Sequence, residues 1–343
     1  MLTEAVGFDN FYPINDQRSF QDVTVQITEP TGFDLLVKVT ASAVNPVDVV
    51  ARKSLQKSEQ PTILGFDACA IVVAIGDEVS DFSIGERVFY AGDYQRNGSN
   101  ARLQLVDSRL VGHAPKTLNN VQSAALPLTS LTAYELLFEK MSLHIDPQLN
   151  KQKTILIING AGGVGSIAIQ LAKLCGLTVL ATASRPKTRQ WVKQMGADEI
   201  LNHRQDLVKQ VKKLGYQYVD YIVALSDVNP HWSEIVALIQ PVSGLVGTIT
   251  NMSLPQMNDL KHKSVMFAWE WMFSKSYYQT ANMATQGQYL DKIASLVDEQ
   301  KLQSTLYTTI PHFNAAGFRK ATQIIEAGQA IGKIVVQNSQ NEA

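Results

Sequence analysis

The clearest hydrophobic pattern in the chain runs from Thr154 to Lys173. It begins with a continuous apolar run to Ile158, which is typical of a parallel strand covered on both faces. After a glycine-rich turn, apolar residues recur from Val164 to Cys175 with the spacing of a helix that buries one face. The pattern therefore predicts a strand, a tight turn and an amphipathic helix.

Apolar runs and helical segments alternate through the middle of the chain. The predicted strands cover residues 154–158, 178–183, 199–201, 219–225, 244–250 and 264–269, and helices fill most of the gaps. Alternation of this kind predicts βαβ units and a doubly wound parallel sheet. We predict this α/β domain over residues 126–274.

The N-terminal segment has the short strands and turns of a β-rich, barrel-like domain. Alternation over residues 22–41 predicts antiparallel strands covered on one face, and residues 48–55 predict a helix capped by Asp48. A further helix is predicted from Ala124, entered through Pro127. Towards the C-terminus we predict a helix over 281–299, a strand over 305–310, a helix over 313–328 and a strand over 332–336. The short strands predict a β-rich domain through about residue 112.

The turn after the first strand of the α/β domain fits G-x-G-x-x-G. Gly160 permits the tight turn, Gly162 allows close approach of a pyrophosphate, and Gly165 allows helix and strand to pack closely. The helix N-terminus offers N–H groups and a positive dipole end to phosphates. We predict a dinucleotide site that also includes Gly163 and Val164. A glycine-rich turn without a ligand is the alternative.

The end of the second predicted strand indicates which dinucleotide is bound. An NAD enzyme places Asp or Glu about 20 residues after the glycines, where this chain has Ala183. Ser184, Arg185 and Lys187 follow, and they favour the 2′-phosphate of NADP. The alternative is that these cations only begin a solvated helix. His203, after the third strand, is a weaker candidate for the same site, and a surface histidine is its alternative.

Composition narrows the class of protein. The chain has 343 residues, 45% hydrophobic and 18% charged, which is typical of a soluble globular protein with a prior of two domains. A net charge of -1 gives no basic field for nucleic acid. No apolar stretch is long enough for a bilayer and no export signal begins the chain, so we expect a cytoplasmic protein without membrane contact. Cys69 and Cys175 are expected to be reduced core thiols.

In order along the chain, six motifs resemble those of the medium-chain dehydrogenase/reductase superfamily. They are VNPVD (44–48), GFDA (65–68), GERV (85–88), LPLT (126–129), AGGVG (161–165) and GKIV (332–335). The resemblance is strongest to the zinc-free quinone oxidoreductase-like branch, often labelled zinc-type alcohol dehydrogenase-like. It implies a GroES-like catalytic domain over 1–125 and 275–343, a Rossmann NADP-binding domain over 126–274, and a homodimer.

The departures from the zinc-dependent relatives concern the metal ligands. Those relatives place a cysteine where Asn45 stands, a His-Glu pair where Phe66 and Asp67 stand, and a four-cysteine lobe that this chain lacks. A catalytic zinc ion needs three protein ligands and an open fourth position. The six histidines are scattered. We therefore predict no metal site.

The resemblance also implies roles for individual residues. Asn45, at the position of the lost zinc ligand, Thr132, near the nicotinamide in the family, and Tyr90 are the predicted catalytic residues. Thr132 also belongs to the predicted NADP(H) site, which Leu225 and Lys333 complete. A structural role is the alternative for each catalytic candidate.

Without a Lewis acid, reduction of a quinone or an α,β-unsaturated carbonyl is favoured over alcohol oxidation. The alternatives are a reductase of another carbonyl substrate and a non-catalytic NADPH-binding redox sensor. Tyr94 is a further possible proton donor. The aromatic segment 269–278 is interpreted as core packing and subunit interface, with a pocket for a flat ring as the alternative.

Overall fold

A computed structural model describes residues 1–54, 57–252 and 257–338. The chain divides into two units, which we describe separately. Unit 1 comprises Met1–Leu131 and Phe273–Ala343, and unit 2 comprises Thr132–Met272. The predicted boundaries lay at residues 125/126 and 274/275. The predicted end of the first helix, at Leu55, lies outside the described residues.

Sixteen strands lie in the described ranges. They are β1 (Leu2–Phe8), β2 (Gln21–Gln26), β3 (Asp34–Val44), β4 (Thr62–Ile63), β5 (Ala68–Ile75), β6 (Arg87–Tyr90), β7 (Leu103–Asp107), β8 (Val111–His113), β9 (Thr154–Ile158), β10 (Thr178–Thr182), β11 (Glu199–Leu201), β12 (Tyr221–Ala224), β13 (Leu245–Thr248), β14 (Met266–Trp269), β15 (Leu306–Ile310) and β16 (Lys333–Gln337).

The α-helices of the same ranges are mostly short. They are α1 (Pro46–Ser54), α2 (Asn120–Ala124), α3 (Pro127–Tyr134), α4 (Gly163–Leu174), α5 (Pro186–Gln194), α6 (Leu207–Lys213), α7 (Trp232–Leu238), α8 (Asn258–Lys261), α9 (Ser274–Tyr277), α10 (Thr285–Asp298) and α11 (Ala315–Glu326). A π-helix, Glu135–Lys140, follows α3. No helix among the described residues has the length and apolar character needed to cross a bilayer.

Unit 1 contains two sheets, and its strands correct one expectation. A three-stranded sheet has the order β2-β1-β4, and a seven-stranded sheet has the order β15-β16-β3-β5-β6-β8 with β7 also paired to β3. The β-rich class is as predicted. However, β3 is buried along almost its whole length instead of on one face, because β3 lies inside the larger sheet and has two different neighbours besides β16. Its core includes Leu35, Val37 and Val39.

Unit 2 is the predicted doubly wound sheet. Six parallel strands follow the order β11-β10-β9-β12-β13-β14. All five residues of β9 are buried, as its continuous apolar run predicts. The chain order reverses at β9, and ligands of such sheets bind outside the carboxyl ends of the strands at this point.

Two helices begin differently from the prediction. The first helix begins at Pro46, two positions before Asp48, so Asp48 lies in its first turn and is not its cap. Proline is favoured at this position because its missing N–H would have no helical partner. The helix predicted from Ala124 begins at Pro127 as α3 and continues as the π-helix Glu135–Lys140, whereas α2 already ends at Ala124.

Candidate active site

The glycine-rich turn joins β9 to α4 in unit 2. Gly162 precedes the helix, and no side chain in the described part of the chain caps this end. A Cβ on Gly165 would lie 2.3 Å from the carbonyl oxygen of Asn159, so only glycine allows this close packing of helix on turn. Asn159 itself adopts a φ of 68° and donates its Nδ2 to the carbonyl of Leu225. The turn thus presents N–H groups and a positive dipole end at the switch point of the sheet.

Cationic side chains follow the next two strands of the same sheet. Arg185 precedes α5, and its backbone N–H donates to Thr188 at 3.1 Å. Lys187 is exposed on the first turn, and Arg204 is exposed after β11. Ala183, at the position of the expected acid, is buried. The arrangement leaves positive charge at the strand ends, where a phosphate can be held.

His203 lies among these cations. Burial lowers the pKa of His203, and electrostatic interactions with His231, Arg204 and Arg185 lower it further. Its Nδ1 is buried without a hydrogen-bond partner among the described residues. The ring of His231 lies edge-on at 6.3 Å. A buried ring nitrogen without a partner is suited to a hydrogen bond with a polar ligand.

A polar cluster of Asn45, Asp48, Asp67 and Lys333 lies buried in unit 1. Asp48 accepts hydrogen bonds from the backbone N–H groups of Asn45, at 2.8 Å, and Gly65, at 3.1 Å. Asp48 thereby ties the start of α1 to the loop before β5. Burial raises the pKa of Asp48 to about 7, against these hydrogen bonds.

Lys333 provides the positive charge of this cluster. Its Nζ donates to Asp67 Oδ2 at 2.7 Å and to Asn45 Oδ1. The Asn45 Nδ2 donates to the same Asp67 oxygen at 2.8 Å, and the Leu128 N–H donates to Asp67 Oδ1 at 2.7 Å. The Asp67 side chain is fully buried and that of Lys333 is 3% exposed. Burial raises the pKa of Asp67, while the Lys333 charge opposes that shift.

Aromatic rings lie beside the polar cluster within unit 1. Phe66 stacks on Tyr94 at 5.4 Å between ring centroids and meets Phe273 edge-on at 5.0 Å. Phe66 and Phe273 are buried, whereas Tyr94 is partly exposed. Burial raises the pKa of Tyr94, and the nearby Asp48 charge adds to this shift. The three rings form an apolar cluster in which Tyr94 is the partly exposed member, and a flat conjugated molecule can stack against such a ring.

Three further predicted site residues, Tyr90, Thr132 and Leu225, are buried. Tyr90 is 1% exposed, and its hydroxyl donates to Gln104 at 2.7 Å. Burial raises the pKa of Tyr90 well above its ordinary value. The hydroxyl proton of Tyr90 is thus engaged in the core, and its role in proton donation stays a prediction. Thr132 is buried in α3, and Leu225 is buried directly after β12. Both cysteines are free and buried.

Sequence reasoning missed two features. Lys333 was expected at the cofactor, and its ion pair with Asp67 was not predicted, although both residues lie in the quoted motifs. The second feature is the buried pair Glu135 and Glu270 in unit 2. Burial and the neighbouring Glu135 raise the pKa of Glu270 to about 8. No sequence pattern pointed to this pair, because it joins the π-helix to the residue after β14.

The family fold implies a nicotinamide dinucleotide and, in zinc-dependent members, a zinc ion. The residues of this chain fit the first of these groups and not the second. The glycine turn, the uncapped helix and the cations fit the phosphates of a nicotinamide dinucleotide. The unit 1 cluster does not fit zinc, since the Lys333 ammonium group already lies between Asn45 and Asp67 and would repel a second cation. Among the described residues, no three His, Cys, Asp or Glu side chains are grouped to hold a metal ion.

Two family models match the chain. Residues 31–118 match the alcohol dehydrogenase GroES-like domain, and residues 163–290 match the zinc-binding dehydrogenase family. A zinc-type alcohol dehydrogenase-like protein of Staphylococcus epidermidis is 40% identical over 97% of this chain and 99% of its own length. The quinone-oxidoreductase homolog of spinach chloroplasts is 27% identical over 98% of each chain.

A solved structure agrees with the architecture. The crystal structure of a Rhizobium etli protein, assigned by name to the zinc-dependent alcohol dehydrogenases, is 40% identical and covers 98% of both chains with a TM-score of 0.93. The names of these similar proteins refer to zinc or to quinones. The residues around Asn45 do not form the zinc site that some of these names mention.

Proposed function

Because the chain belongs to the medium-chain dehydrogenase/reductase superfamily of oxidoreductases, we propose that it is a zinc-independent reductase that uses NADPH to reduce quinones or α,β-unsaturated carbonyl compounds. The superfamily implies a nicotinamide cofactor. The choice of NADPH, the independence from zinc and the acceptor class are the specific parts of the proposal.

The observation that carries the proposal is the donor set around Asn45. A metal that polarises a carbonyl needs an open coordination position. Here an amide, a buried carboxylate and the Lys333 ammonium group stand together. Such a site supports acceptors whose negative charge is delocalised after hydride transfer, because hydrogen-bond donors are then sufficient to stabilise it.

The cations of unit 2 support NADPH over NADH. Arg185, Lys187 and Arg204 lie at the strand ends, and Ala183 leaves no acid to bind a ribose 2′-hydroxyl at its position. A 2′-phosphate brings two negative charges that these side chains can neutralise. A carboxylate at position 183 would instead have repelled this phosphate.

Reduction of the acceptor needs one hydride and one proton. When bound, the reduced nicotinamide supplies a hydride, which is two electrons and a hydrogen nucleus. A quinone that accepts it becomes a hydroquinone anion, and an enone becomes an enolate; either anion takes up one proton to complete the reduction. We assign Asn45 to bind the acceptor oxygen through its amide N–H and the rings of Phe66 and Tyr94 to bind the acceptor's flat face. Water or a side chain donates the proton.

The test is oxidation of NADPH by the purified protein with a simple quinone and a 2-alkenal in parallel, each repeated with NADH. The proposal expects turnover with at least one acceptor and a higher kcat/KM for NADPH. Faster turnover with the quinone assigns a quinone reductase, and faster turnover with the alkenal assigns an alkene reductase. Binding of NADPH without turnover of any acceptor would contradict the proposal and favour a redox sensor.

We also propose that the protein is a homodimer that pairs through β14. This strand is at the end of the unit 2 sheet, and Met266 and Trp269 on it are 62% and 52% exposed. An exposed edge with large apolar side chains is suited to pairing with a second strand. Light scattering should give twice the chain mass, and Met266→Lys should halve it, whereas Ile84→Lys, at another exposed apolar residue, should not. A parent protein of single-chain mass would contradict the dimer. A cytoplasmic location remains part of the proposal.

A further inference from the structure

The polar cluster of unit 1 has an internal arrangement that the proposed function does not require. Two carboxylates, Asp48 and Asp67, are buried with a single lysine. Lys333 begins β16, and the antiparallel register Ile334↔Val44 brings it opposite Asn45 at the end of β3. The pairing of β16 with β3 therefore places the Lys333 ammonium group beside the Asn45 amide. Buried charges of this kind persist only when they are paired and hydrogen-bonded.

We propose that Lys333 is the built-in cation of this site, taking the place that zinc takes in zinc-dependent relatives and fixing the orientation of the Asn45 amide for the acceptor. Lys333 is thus a positioning residue, and Asn45 is the residue that touches substrate. The inference rests on the proposed function, because the acceptor oxygen is the group that the amide would bind. It replaces the expected contact of Lys333 with the cofactor.

The orientation follows from the hydrogen-bond chemistry of the three groups. An ammonium group only donates, so the Asn45 oxygen must face Lys333. An ionised carboxylate only accepts, so the Asn45 nitrogen must face Asp67. The amide nitrogen has two hydrogens and Asp67 accepts one of them. The second N–H is therefore the group that the amide can offer to an acceptor oxygen, and the nearby positive charge strengthens it as a donor.

Removal of Lys333 alone does not separate positioning from stability. Lys333→Met leaves the Asp67 carboxylate buried beside an apolar side chain, so both folding and turnover should suffer. The informative protein is the double variant Lys333→Met with Asp67→Asn, which removes both charges of this pair and leaves Asp48 with its two backbone N–H donors. The new amide at position 67 still accepts from the Leu128 N–H through its oxygen. Its NH₂ group can donate to Asn45 only if the Asn45 amide turns over.

The double variant should therefore fold and bind NADPH like the parent while turning over acceptor poorly. We expect the midpoint of thermal unfolding to recover most of the loss seen in Lys333→Met, with an unchanged Kd for NADPH by fluorescence. We expect kcat/KM for the acceptor to stay about 100-fold below the parent, as for the loss of one preorganised donor. Lys263→Met, which removes a lysine bonded to the Ala237 and Ile239 carbonyls in unit 2, is the matched control.

Other outcomes decide against the inference in distinguishable ways. If the double variant recovers both folding and turnover, Lys333 is only structural. If its NADPH Kd rises with the loss of turnover, Lys333 belongs to the cofactor site. If the double variant does not fold, Lys333→Arg, which keeps a donating cation, must exceed Lys333→Met in kcat, and equal kcat values overturn the inference. If the parent protein binds NADPH but reduces no acceptor, that result contradicts both the proposed function and the positioning role of Lys333.

Discussion

The exposed cations of unit 2 and the buried Lys333 of unit 1 differ in how their positive charge is neutralised. In unit 2, Arg185, Lys187 and Arg204 lie at strand ends with partial or full exposure. In unit 1, the Lys333 side chain is 3% exposed and is paired with a fully buried Asp67. Water solvates the first group, whereas the second depends on an anion of the protein itself.

The difference shows how burial decides whether a charge is available to a ligand. An exposed cation costs little to keep unpaired, so it can receive a phosphate when a cofactor binds. A buried cation must carry its counter-ion permanently, because an isolated charge in the interior is strongly destabilising. The exposed group is thus suited to binding, and the buried group is suited to orienting its neighbours.

The largest expected effect comes from breaking the buried pair. Lys333→Met should lower the free energy of unfolding by about 3–5 kcal/mol, since it leaves the Asp67 carboxylate without its partner. Urea denaturation measures this change. Lys173→Met breaks the exposed pair of Lys173 with Asp198, whose side chains are 37% and 38% exposed, and should cost less than about 1 kcal/mol. Equal losses in the two variants would remove the distinction between buried and exposed charge.

An intermediate effect is expected at the exposed group. Arg185→Ala should weaken NADPH binding by roughly 10- to 100-fold, because a charge-assisted hydrogen bond to the 2′-phosphate is lost. NADH has no 2′-phosphate, so its Kd should change little. Fluorescence titration with both cofactors measures the ratio, and Lys193→Ala, near the other end of α5, is the control. Equal weakening of NADPH and NADH would refute the contact with the 2′-phosphate.

The smallest expected effect concerns a buried acid whose close neighbour is another acid. The pKa of Glu270 is raised from its ordinary 4.5 to about 8 by burial and by Glu135, so its protonated form is favoured in the folded protein. Protonated Glu270 therefore adds to the free energy of unfolding below its unfolded pKa, and this stabilisation is lost as the pH rises from about 5 to 8. Glu270→Gln removes this loss and should gain stability over the parent as the pH increases.

Thermal unfolding at pH 5.5 and at pH 8.5 measures the Glu270 effect. The gain at the higher pH should be on the order of 1–2 kcal/mol. Glu139→Gln, on the same π-helix but partly exposed, is the control and should show a smaller change with pH. A Glu270→Gln variant whose advantage shrinks as the pH rises would show that the carboxylate, not the acid, is the favoured form.

Local patterns predicted the unit 2 sheet better than the unit 1 cluster. The continuous apolar run of β9 and the short β11 were predicted with their observed bounds, because hydrophobic period and glycine positions are local signals. The π-helix at Glu135 was not predicted, since its sequence continues an ordinary helical pattern.

The pairing of Lys333 with Asp67 could not be predicted in the same way. The two residues are 266 positions apart, and only the register of β16 on β3 brings them together. Both residues lie in motifs that the sequence analysis singled out, but their sequence neighbours do not indicate a partner. For Asp48, the predicted position as a helix cap was wrong because Pro46 begins α1.

The most direct test of the account is turnover by protein freed of metal. The purified protein would be treated with a chelator, exchanged into metal-free buffer, and divided for zinc determination and for NADPH oxidation with the better acceptor. The account predicts full turnover with far less than one zinc ion per chain, because Lys333 supplies the positive charge of the site. Turnover that falls with the zinc content and returns when zinc is added would contradict it.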